Sequence, residues 1–398
     1  MRLLLCSTEF PPGPGGIATY CQQLASHLTE AGWQVEVVTP QAHATEIEIA
    51  EFNSSQPYGI VRQRPSHRRF GWALGRFDTL QRVAAQWNPD IIVGSGERAV
   101  WDAMIVARLV GCPYLAIGYG SEFVQGATWR RMLTRYAFVR ADSVIVISRY
   151  TQGLLEAAGI DALGVELVPP GADDEVFRPG LDVTTLRERL NLPYGPVLLT
   201  VGAVKERKGH DVVIRALPKL VSEFPDLTYL IVGRPFLQPQ LTVLATSLGV
   251  AKHVRFVGVV PQEELPDFYN LCDVFVMVSR RVEAGDVEGY GIAVMEAALC
   301  GKAAVVSREC GLEETVCNGQ TGFLVAPEDA SGTAEAIGRL FRDGDLRRRM
   351  GQAARTRAQT EGTWALRAQA FDRVLRSLQA RSKVTGRLQR PRTPTLGA

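Results

Sequence analysis

The stretch Val168–Pro179, which reads VPPGADDEVFRP, interrupts an otherwise regular alternation of short apolar runs and longer helical segments. Its prolines fix φ and disfavour helix, so it predicts a connector between two folded regions. A chain of 398 residues is too long for one ordinary domain. It suits two domains of about 150–200 residues each. The sequence therefore predicts one domain on either side of this connector.

Before the connector, short apolar runs typical of buried strands alternate with segments of 3.6-residue periodicity. The strand candidates are Leu3–Ser7, Val35–Thr39, Asp90–Val93, Tyr114–Ile117, Ser143–Ile147 and Glu166–Val168. The helical pattern is clear over Ile17–Ala31 and Tyr150–Ala158. Strands that are apolar throughout and separated by helices indicate a parallel sheet covered on both faces.

Beyond the connector the same alternation starts again. The strand candidates are Val197–Val201, Leu227–Val232, Val254–Phe256, Asp273–Val278 and Ala303–Val306. Two similar α/β halves predict two Rossmann-like, parallel-sheet domains facing each other across a cleft. Ligands of such sheets bind at the carboxyl ends of the strands, so we expect the site there.

This organisation predicts five segments along the chain. They are a first domain over 1–170, a linker over 171–180, a second domain over 181–362, a helix over 363–380 that crosses back to the first domain, and a tail over 381–398. The tail is rich in Arg, Pro and Thr and lacks an apolar face, which predicts disorder.

Composition excludes several classes of protein. A hydrophobic share of 46% and a charged share of 22% are typical of a soluble globular chain. The formal charge of +2 gives no electrostatic case for nucleic acid. Seven scattered cysteines and five distant histidines predict buried thiols rather than a metal site. The apolar start is too short for a signal peptide, and no run reaches the ~20 residues of a membrane span, so we expect a cytoplasmic protein.

A glycine-rich loop follows the first strand candidate and opens a helix. Residues 11–17 read PPGPGGI, and Gly15 and Gly16 let the backbone approach an anion at the helix start. The alternative of a dinucleotide-binding fingerprint needs G-x-G-x-x-G and an acid at the end of strand two, where Thr39 and Pro40 stand instead. A merely tight turn stays open as a second alternative.

Two adjacent cations, Arg207 and Lys208, follow the first strand of the second half. Arginine binds phosphate bidentately and lysine acts as a compact charge, so the pair suits a diphosphate. A solvated basic turn is the alternative.

Two acids, Glu288 and Glu296, lie eight residues apart in the sequence EGYGIAVME. The second acid lies about two helical turns after the first and can share a face with the helix start at Gly291 and Ile292, which can bind phosphate. The alternative is a surface acid and a capping acid. It is less favoured because Glu296 lies in an apolar stretch, and a buried carboxylate needs a partner.

Six motifs together carry a resemblance to a known family. They are Glu9–Pro12 with Gly15–Ile17, Ile147–Thr151, Pro170–Asp173 with Phe177, Arg207–Gly209, the pair Glu288 and Glu296, and Gly319 with Thr321–Val325. Up to about Leu378 the chain resembles glycosyltransferase family 4 of the GT-B fold. It is especially similar to the branch of phosphatidylinositol-mannoside mannosyltransferases. These motifs are specific for the family and not for the substrate.

The resemblance implies a retaining transferase that moves a hexose from GDP-mannose or a UDP-hexose to a glycan or lipid-linked acceptor. It implies no metal and no cofactor, because fixed cations take the place of magnesium. The sequence Asp286-x-Glu288 looks like a metal motif, but it overlaps the acid pair. Lys208, with Arg207, would neutralise the leaving nucleoside diphosphate.

The remaining site residues also come from the resemblance. It implies that Glu288 contacts the donor sugar, Glu296 the ribose, and Gly15, Gly16, Gly291 and Ile292 the sugar and phosphates. It further implies that Val259 and Val260 lie at the nucleobase, with Tyr119 and Glu122 on the acceptor side.

Three departures from the family pattern keep an alternative open. Ala203 stands where the family often has an arginine, so one phosphate-binding cation is missing unless Arg207 or Lys205 substitutes for it. Tyr119 stands where the family has a histidine. Residues 310–314 read CGLEE where the family has Gly-Gly-x-Pro-Glu. The alternative is a catalytically weak protein of the same fold that binds sugar nucleotides.

Two stretches of the first domain combine arginines with aromatic residues. One is residues 61–83, which carries six arginines and a single acid, Asp78; the other is Trp129–Tyr136. Basic residues beside aromatic ones predict a weak peripheral contact with anionic lipid at the inner face of the membrane. Helices packed on the sheet, with their arginines in solvent, are the alternative.

Overall fold

The computed structural model describes residues 1–13, 15–40, 44–63 and 69–384. These residues divide into two compact units. The first unit contains Met1–Ile147, Gln152–Val168 and the chain from Arg367 onward, and the second contains Ser148–Thr151 and Pro169–Leu366.

The first unit is built on a seven-stranded parallel sheet of order β3-β2-β1-β4-β5-β6-β7. Its strands are β1 Arg2–Ser7, β2 Gln34–Pro40, β3 Gly59–Gln63, β4 Ile91–Ser95, β5 Tyr114–Gly118, β6 Ser143–Val146 and β7 Val165–Leu167. The sequence prediction omitted β3. This edge strand is mostly half-buried and therefore lacks the continuous apolar run of the inner strands.

Seven helices follow these strands. They are α1 Gly16–Glu30, α2 Glu46–Ser54, α3 Arg69–Trp87, α4 Glu97–Val110, α5 Ser121–Val124, α6 Thr128–Val139 and α7 Arg149–Ala157. The two helices predicted from periodicity are present, with ends shifted by one residue.

The second unit contains a six-stranded parallel sheet of order β10-β9-β8-β11-β12-β13. Its strands are β8 Val197–Val201, β9 Thr228–Val232, β10 Val254–Gly258, β11 Val274–Met277, β12 Ala304–Ser307 and β13 Gly322–Val325. The sequence prediction also omitted β13, one of the two edge strands of this sheet, which has two half-buried central residues.

Eight further helices complete the described chain. They are α8 Thr184–Arg189, α9 His210–Glu223, α10 Gln238–Ser247, α11 Leu265–Leu271, α12 Ile292–Leu299, α13 Ala330–Arg342, α14 Gly344–Glu361 and α15 Trp364–Val384. None of the described helices is both long and apolar enough to cross a bilayer.

The last helix, α15, is attached to the first unit by its inner face. Phe371 and Leu375 are fully buried, and Asp372 accepts a hydrogen bond of 2.6 Å from the indole N–H of Trp33. The helix continues to Val384, so the prediction that disorder begins at residue 381 is wrong for residues 381–384. Ser382 is buried, so the inner face of the helix extends into these residues. Residues 385–398 lie outside the described part of the chain.

Both sheets have a point where the strand order reverses. In the first sheet β1 lies between β2 and β4, and in the second β8 lies between β9 and β11. The central strands are buried on both faces, as at Leu3–Leu5 and Val274–Met277. In open α/β sheets, ligands bind beside such a reversal at the carboxyl ends of the strands. The segments after β8 and β11 therefore form the candidate site.

Candidate active site

A short turn after β8 carries the two predicted cations. Glu206–Lys208 forms one turn of 3₁₀-helix that ends at Gly209, and α9 follows directly. Gly209 has φ of 66°, and a Cβ there would lie 2.0 Å from the carbonyl oxygen of Val278. Only glycine therefore lets this cation turn, residues 206–209, pack against the segment that leaves β11.

The segment after β11, residues 278–291, is called here the acid loop because it carries Asp286 and Glu288. It is bound to the cation turn through the backbone, since the Arg280 amide donates to the Arg207 carbonyl over 2.8 Å. The loop ends at Gly291, which has φ of 99° and begins α12. These contacts bring two segments about 80 residues apart in sequence onto one edge of the sheet.

Three ion pairs connect the cation turn to the acid loop. The Lys208 Nζ lies 2.6 Å from Glu288 Oε2, and the Arg207 Nη1 also binds that carboxylate. Arg207 Nε lies 3.1 Å from Asp286 Oδ2. The structure thus brings Lys208, Arg207 and Glu288 together, and it adds Asp286, which the sequence analysis considered only as a false metal motif.

The ionisation of these groups follows from their burial and mutual charge. Burial acts to raise the pKa of Glu288, but the charges of Arg207 and Lys208 and their hydrogen bonds lower it to about 2. Burial lowers the pKa of Lys208, and Arg207 lowers it further, while Glu288 opposes both. Burial acts to lower the pKa of Arg207, but Glu288 and Asp286 raise it overall. The site is therefore an anion and two cations in a poorly hydrated place.

The start of α12 presents backbone donors beside this cluster. Among the described residues, the amides of Gly291 and Ile292 have no hydrogen-bond acceptor. The first N–H groups of a helix lack intrahelical carbonyls and carry a partial positive charge. These amides can therefore donate hydrogen bonds to an anionic or hydroxyl-bearing ligand, which is the role that the sequence predicts for them.

Glu296 lies further along α12 and has a different environment from Glu288. Its carboxylate accepts a hydrogen bond from the hydroxyl of the fully buried Tyr269. Burial raises the pKa of Glu296 to about 7, although the Tyr269 hydrogen bond acts to lower it. Within the described part of the chain, neither a hydrogen bond nor an ion pair joins it to Glu288 or Lys208. The two acids thus have separate protein partners, and their predicted contacts with the sugar and the ribose stay predictions.

The predicted nucleobase loop begins at the end of β10. Val259 is 60% exposed and Val260 is half-buried. An apolar, accessible surface is compatible with a flat base, and it is equally compatible with an ordinary exposed turn.

The predicted residues of the first unit lie at the corresponding edge of its own sheet. Gly15 begins α1, and a Cβ at Gly15 would lie 2.4 Å from the carboxylate oxygen of Glu9. The Tyr119 hydroxyl lies 2.7 Å from Ser95 Oγ. Glu122 accepts a hydrogen bond of 2.6 Å from the Tyr119 amide, and burial raises its pKa to about 7. Glu122 therefore binds backbone amides at the start of its own helix, α5.

The departure at residues 310–314 also has a structural consequence. The Glu314 carboxylate accepts hydrogen bonds from the amides of Arg149 and Tyr150, over 3.0 Å and 2.9 Å. It thereby caps the start of α7, in the Ile147–Thr151 motif. The Glu314 side chain thus binds this helix start, while the Gly311 amide of the same stretch donates to the Glu288 carbonyl of the acid loop over 2.9 Å.

Three residues near the site were not predicted from the sequence: Asp211, Arg280 and Tyr269. Arg280 binds Asp211, and Tyr269 binds Glu296. Arg280 follows a strand end and Asp211 opens a helix at the same sheet edge, which was a usable signal. The ion pair of Arg280 with Asp211 could not be predicted from the sequence, because it depends on which strands are neighbours in the sheet.

The acids of Asp286-x-Glu288 both hold cationic side chains. In the described ranges, no group of three or more His, Cys, Asp or Glu side chains could hold a metal ion.

Comparison with known proteins shows similarity in sequence over most of the chain. Residues 182–357 match glycosyl transferases group 1, and residues 14–176 match Glycosyltransferase Family 4. A GDP-mannose-dependent alpha-(1-6)-phosphatidylinositol monomannoside mannosyltransferase of Mycolicibacterium smegmatis is 33% identical over 384 residues, covering 94% of this chain and 98% of the relative. A glycogen synthase of Mycobacterium tuberculosis H37Rv is 28% identical, covering 94% of each chain.

Solved structures share the fold. Sucrose-phosphate synthase from Thermosynechococcus elongatus superposes with a TM-score of 0.82 at 25% identity, covering 96% of this chain and 100% of that one. Anabaena HepE in complex with UDP and glucose gives a TM-score of 0.83 at 20% identity, covering 95% and 100%.

The two parallel-sheet units and the charged site at a sheet edge define a GT-B glycosyltransferase that uses a nucleotide sugar. The chain belongs to glycosyltransferase family 4.

Proposed function

We propose that this protein is a retaining, metal-independent hexosyltransferase whose acceptor is lipid-linked or a glycan. The observation that carries the proposal is the contact of Lys208 and Arg207 with Glu288 at the carboxyl edge of the second sheet. This contact places two cations and one acid beside the free amides at the start of α12.

The arrangement suits departure of a nucleoside diphosphate. Cleavage of the bond between the sugar and the diphosphate develops negative charge on the leaving phosphate. The Lys208 ammonium and the amides of Gly291 and Ile292 are already in place to stabilise that charge, so little reorganisation is needed. Arg207 uses Nε and Nη1 to hold acids, and its Nη2 has no hydrogen-bond partner in the described part of the chain. That nitrogen is available to a phosphate oxygen.

In this proposal Glu288 accepts hydrogen bonds from hydroxyls of the donor sugar, and Glu296 accepts them from the hydroxyls of the ribose. A pKa of about 2 keeps Glu288 ionised at any physiological pH. It therefore acts as an acceptor and not as a proton donor. Retention of the anomeric configuration would follow from attack on the same face that the diphosphate leaves, which is what the family resemblance implies.

The first donor to test is GDP-mannose. The support is the Mycolicibacterium smegmatis relative, which its name describes as GDP-mannose-dependent and acting on a phosphatidylinositol monomannoside. A UDP-hexose is the second donor, since the M. tuberculosis relative is a glycogen synthase and HepE was solved with UDP and glucose.

The deciding experiment is a donor panel with chelator present. GDP-mannose, UDP-glucose, UDP-galactose and UDP-N-acetylglucosamine are incubated with the protein and phosphatidylinositol-based acceptors, while nucleoside diphosphate release is measured. We expect GDP-mannose to be turned over at least about 10-fold faster than any other donor, a difference of about 1.4 kcal/mol. Mass spectrometry and NMR of the product give the transferred mass and the anomeric configuration.

Binding of a sugar nucleotide without release of diphosphate would instead favour the catalytically weak binding protein, to which Ala203 and Tyr119 pointed. An inverted product, or turnover abolished by the chelator, would contradict retention or metal independence respectively.

A lipid-linked acceptor requires the enzyme to reach a membrane surface, and we propose that helix α6 makes that contact. Four apolar residues lie on one face of α6 and are exposed: Trp129 by 62%, Met132 by 67%, Tyr136 by 44% and Val139 by 39%. Soluble proteins rarely expose apolar side chains of this size together. On α4, whose Trp101 packs on Trp129 with ring centroids 6.1 Å apart, Ile105 and Leu109 are also exposed.

The charges around this face favour an anionic surface. Helix α6 contains three arginines and no acid. Arg130 pairs with Glu97, while Arg131 and Arg135 are exposed. Arginines beside exposed aromatic residues are typical of helices that lie at the interface with anionic lipid.

The other predicted membrane stretch contributes less. Arg62 is bound to Asn53 and packs on Phe10, and Arg76 forms a buried pair with Asp102. These two arginines are structural, so the prediction of a lipid contact is not supported for them. Residues 64–68 and the side chains of residues 69–74 lie outside the described part of the chain.

Exchange of Trp129 and Met132 for serine is expected to lower binding to phosphatidylglycerol-containing vesicles by about 10-fold or more, because each buried apolar side chain contributes about 1.5–3 kcal/mol. Co-sedimentation at low salt measures this. The matched control is Tyr194→Ser, a fully exposed aromatic residue of the second unit, which should bind like the unmodified protein. Equal binding to neutral vesicles, or a dimer that the serine variant disrupts, would overturn the lipid contact.

A further inference from the structure

A second set of ion pairs, centred on Arg280, lies near Lys208 and Glu288 and has no part in the function proposed above. Arg280, the third residue of the acid loop, donates from Nη1 to both carboxylate oxygens of Asp211, each over 3.0 Å. Asp211 is the second residue of α9, directly after the cation turn. The pair thus joins the acid loop to α9, two residues after the end of the cation turn.

Arg280 is joined both to the cation turn and to the start of α9 that follows it. Its amide donates to the Arg207 carbonyl, and its guanidinium binds Asp211. The Arg280 side chain is 14% exposed and that of Asp211 26% exposed, so water screens this pair only partly. A weaker contact of 3.5 Å reaches Glu328, whose side chain is 69% exposed and contributes little.

We propose that Arg280 and Asp211 are positioning residues, whose ion pair holds the acid loop against the cation turn and so sets the separation of Lys208 and Glu288. This inference rests on the proposed function, in which those two groups act on the donor.

The physical reason is the nature of the acid loop. It has no regular secondary structure between β11 and α12, so its position depends on the contacts that it makes. Ion pairs of Arg207 and Lys208 with Asp286 and Glu288 hold the end of the loop, and the Arg280 amide and the Arg280–Asp211 ion pair hold its start, nearer to the strand end. Loss of the Arg280–Asp211 ion pair lets the start of the loop move, and a shift of about 1 Å at a catalytic group can lower a rate by about 10²-fold.

Charge exchange tests the pair. Asp211→Asn and Arg280→Gln are each expected to lower kcat by about 10- to 100-fold. The affinity for the free nucleoside diphosphate should stay within about 3-fold, because Lys208 and α12 remain. The exchanged double variant Asp211→Lys with Arg280→Glu restores the ion pair and should recover most of kcat. A residue with only a general role in stability would not show this rescue.

The matched control is Arg342→Gln, which breaks an exposed ion pair with Glu223 in the same unit and should leave kcat unchanged. Folded single variants with normal kcat, or a folded double variant no better than the singles, would overturn the inference. If the unmodified protein released no nucleoside diphosphate, the proposed function would fail instead. A crystal structure of the Arg280→Gln variant then decides the inference alone. Separation of Lys208 Nζ from Glu288 beyond about 4 Å supports it, and an intact contact contradicts it.

Discussion

Replacement of Glu288 by glutamine is expected to lower turnover by about 10²–10³-fold, the loss seen when one preorganised electrostatic contact is removed from an active site. The side chain keeps its size and its hydrogen-bonding capacity but loses its charge. Arg207 retains Asp286 as a partner, so the acid loop stays attached to the cation turn. Lys208 loses its only ion pair among the described residues.

The same substitution should change the pH dependence of the residual activity. Burial and Arg207 lower the pKa of Lys208, and Glu288 raises it. Removal of the Glu288 charge therefore lowers the pKa of Lys208 further. Lys208 must be protonated to neutralise the diphosphate, and it loses its proton as the pH rises through this pKa. The alkaline limb of kcat/KM, which reports the free enzyme, should accordingly shift to lower pH in the variant.

Glu283→Gln provides the matched control, because Glu283 is an exposed acid of the same loop. It should retain the rate and the pH profile of the unmodified protein. Equal turnover by the Glu288→Gln and Glu283→Gln variants, both folded by circular dichroism, would show that Glu288 does not contact the reacting sugar.

Replacement of Lys208 is the second large effect that we expect. Lys208→Ala should lower kcat by about 10²–10³-fold, because the compact charge next to the leaving phosphate is lost. Lys208→Met removes the charge and keeps most of the buried stem, so it separates electrostatic loss from a packing defect. We expect the two variants to be similarly slow and the methionine variant to be the more stable. Nucleoside diphosphate release and thermal unfolding measure the two quantities.

Lys252→Ala serves as the control for this pair, since Lys252 is an exposed lysine of the same unit at the entrance to β10. Normal kcat in the Lys208→Met variant would remove Lys208 from the site. A loss confined to the alanine variant would mean that Lys208 acts through packing and not through its charge.

Local sequence was sufficient for the architecture of each unit. Apolar runs separated by amphipathic segments predict parallel strands and helices, because periodicity is a property of neighbouring residues. The inner strands and the edge strands β7 and β10 were predicted, whereas the edge strands β3 and β13, which are largely half-buried, were not. The types of charged residue at the site could also be predicted from the sequence, because two adjacent cations and two spaced acids follow the ends of predicted strands.

The tertiary structure determined which charged side chains form ion pairs with each other. Glu288 binds Arg207 across 81 residues because β11 lies beside β8 in the sheet, although two strands separate them in sequence. That strand order depends on long-range packing and leaves no mark on local periodicity. The hydrogen bond from Tyr269 to Glu296 likewise joins residues that are 27 positions apart and could not be predicted from local sequence. By itself the sequence determined the elements and the types of charge. Only the packed sheet determined the contacts, because they join residues that no local pattern relates.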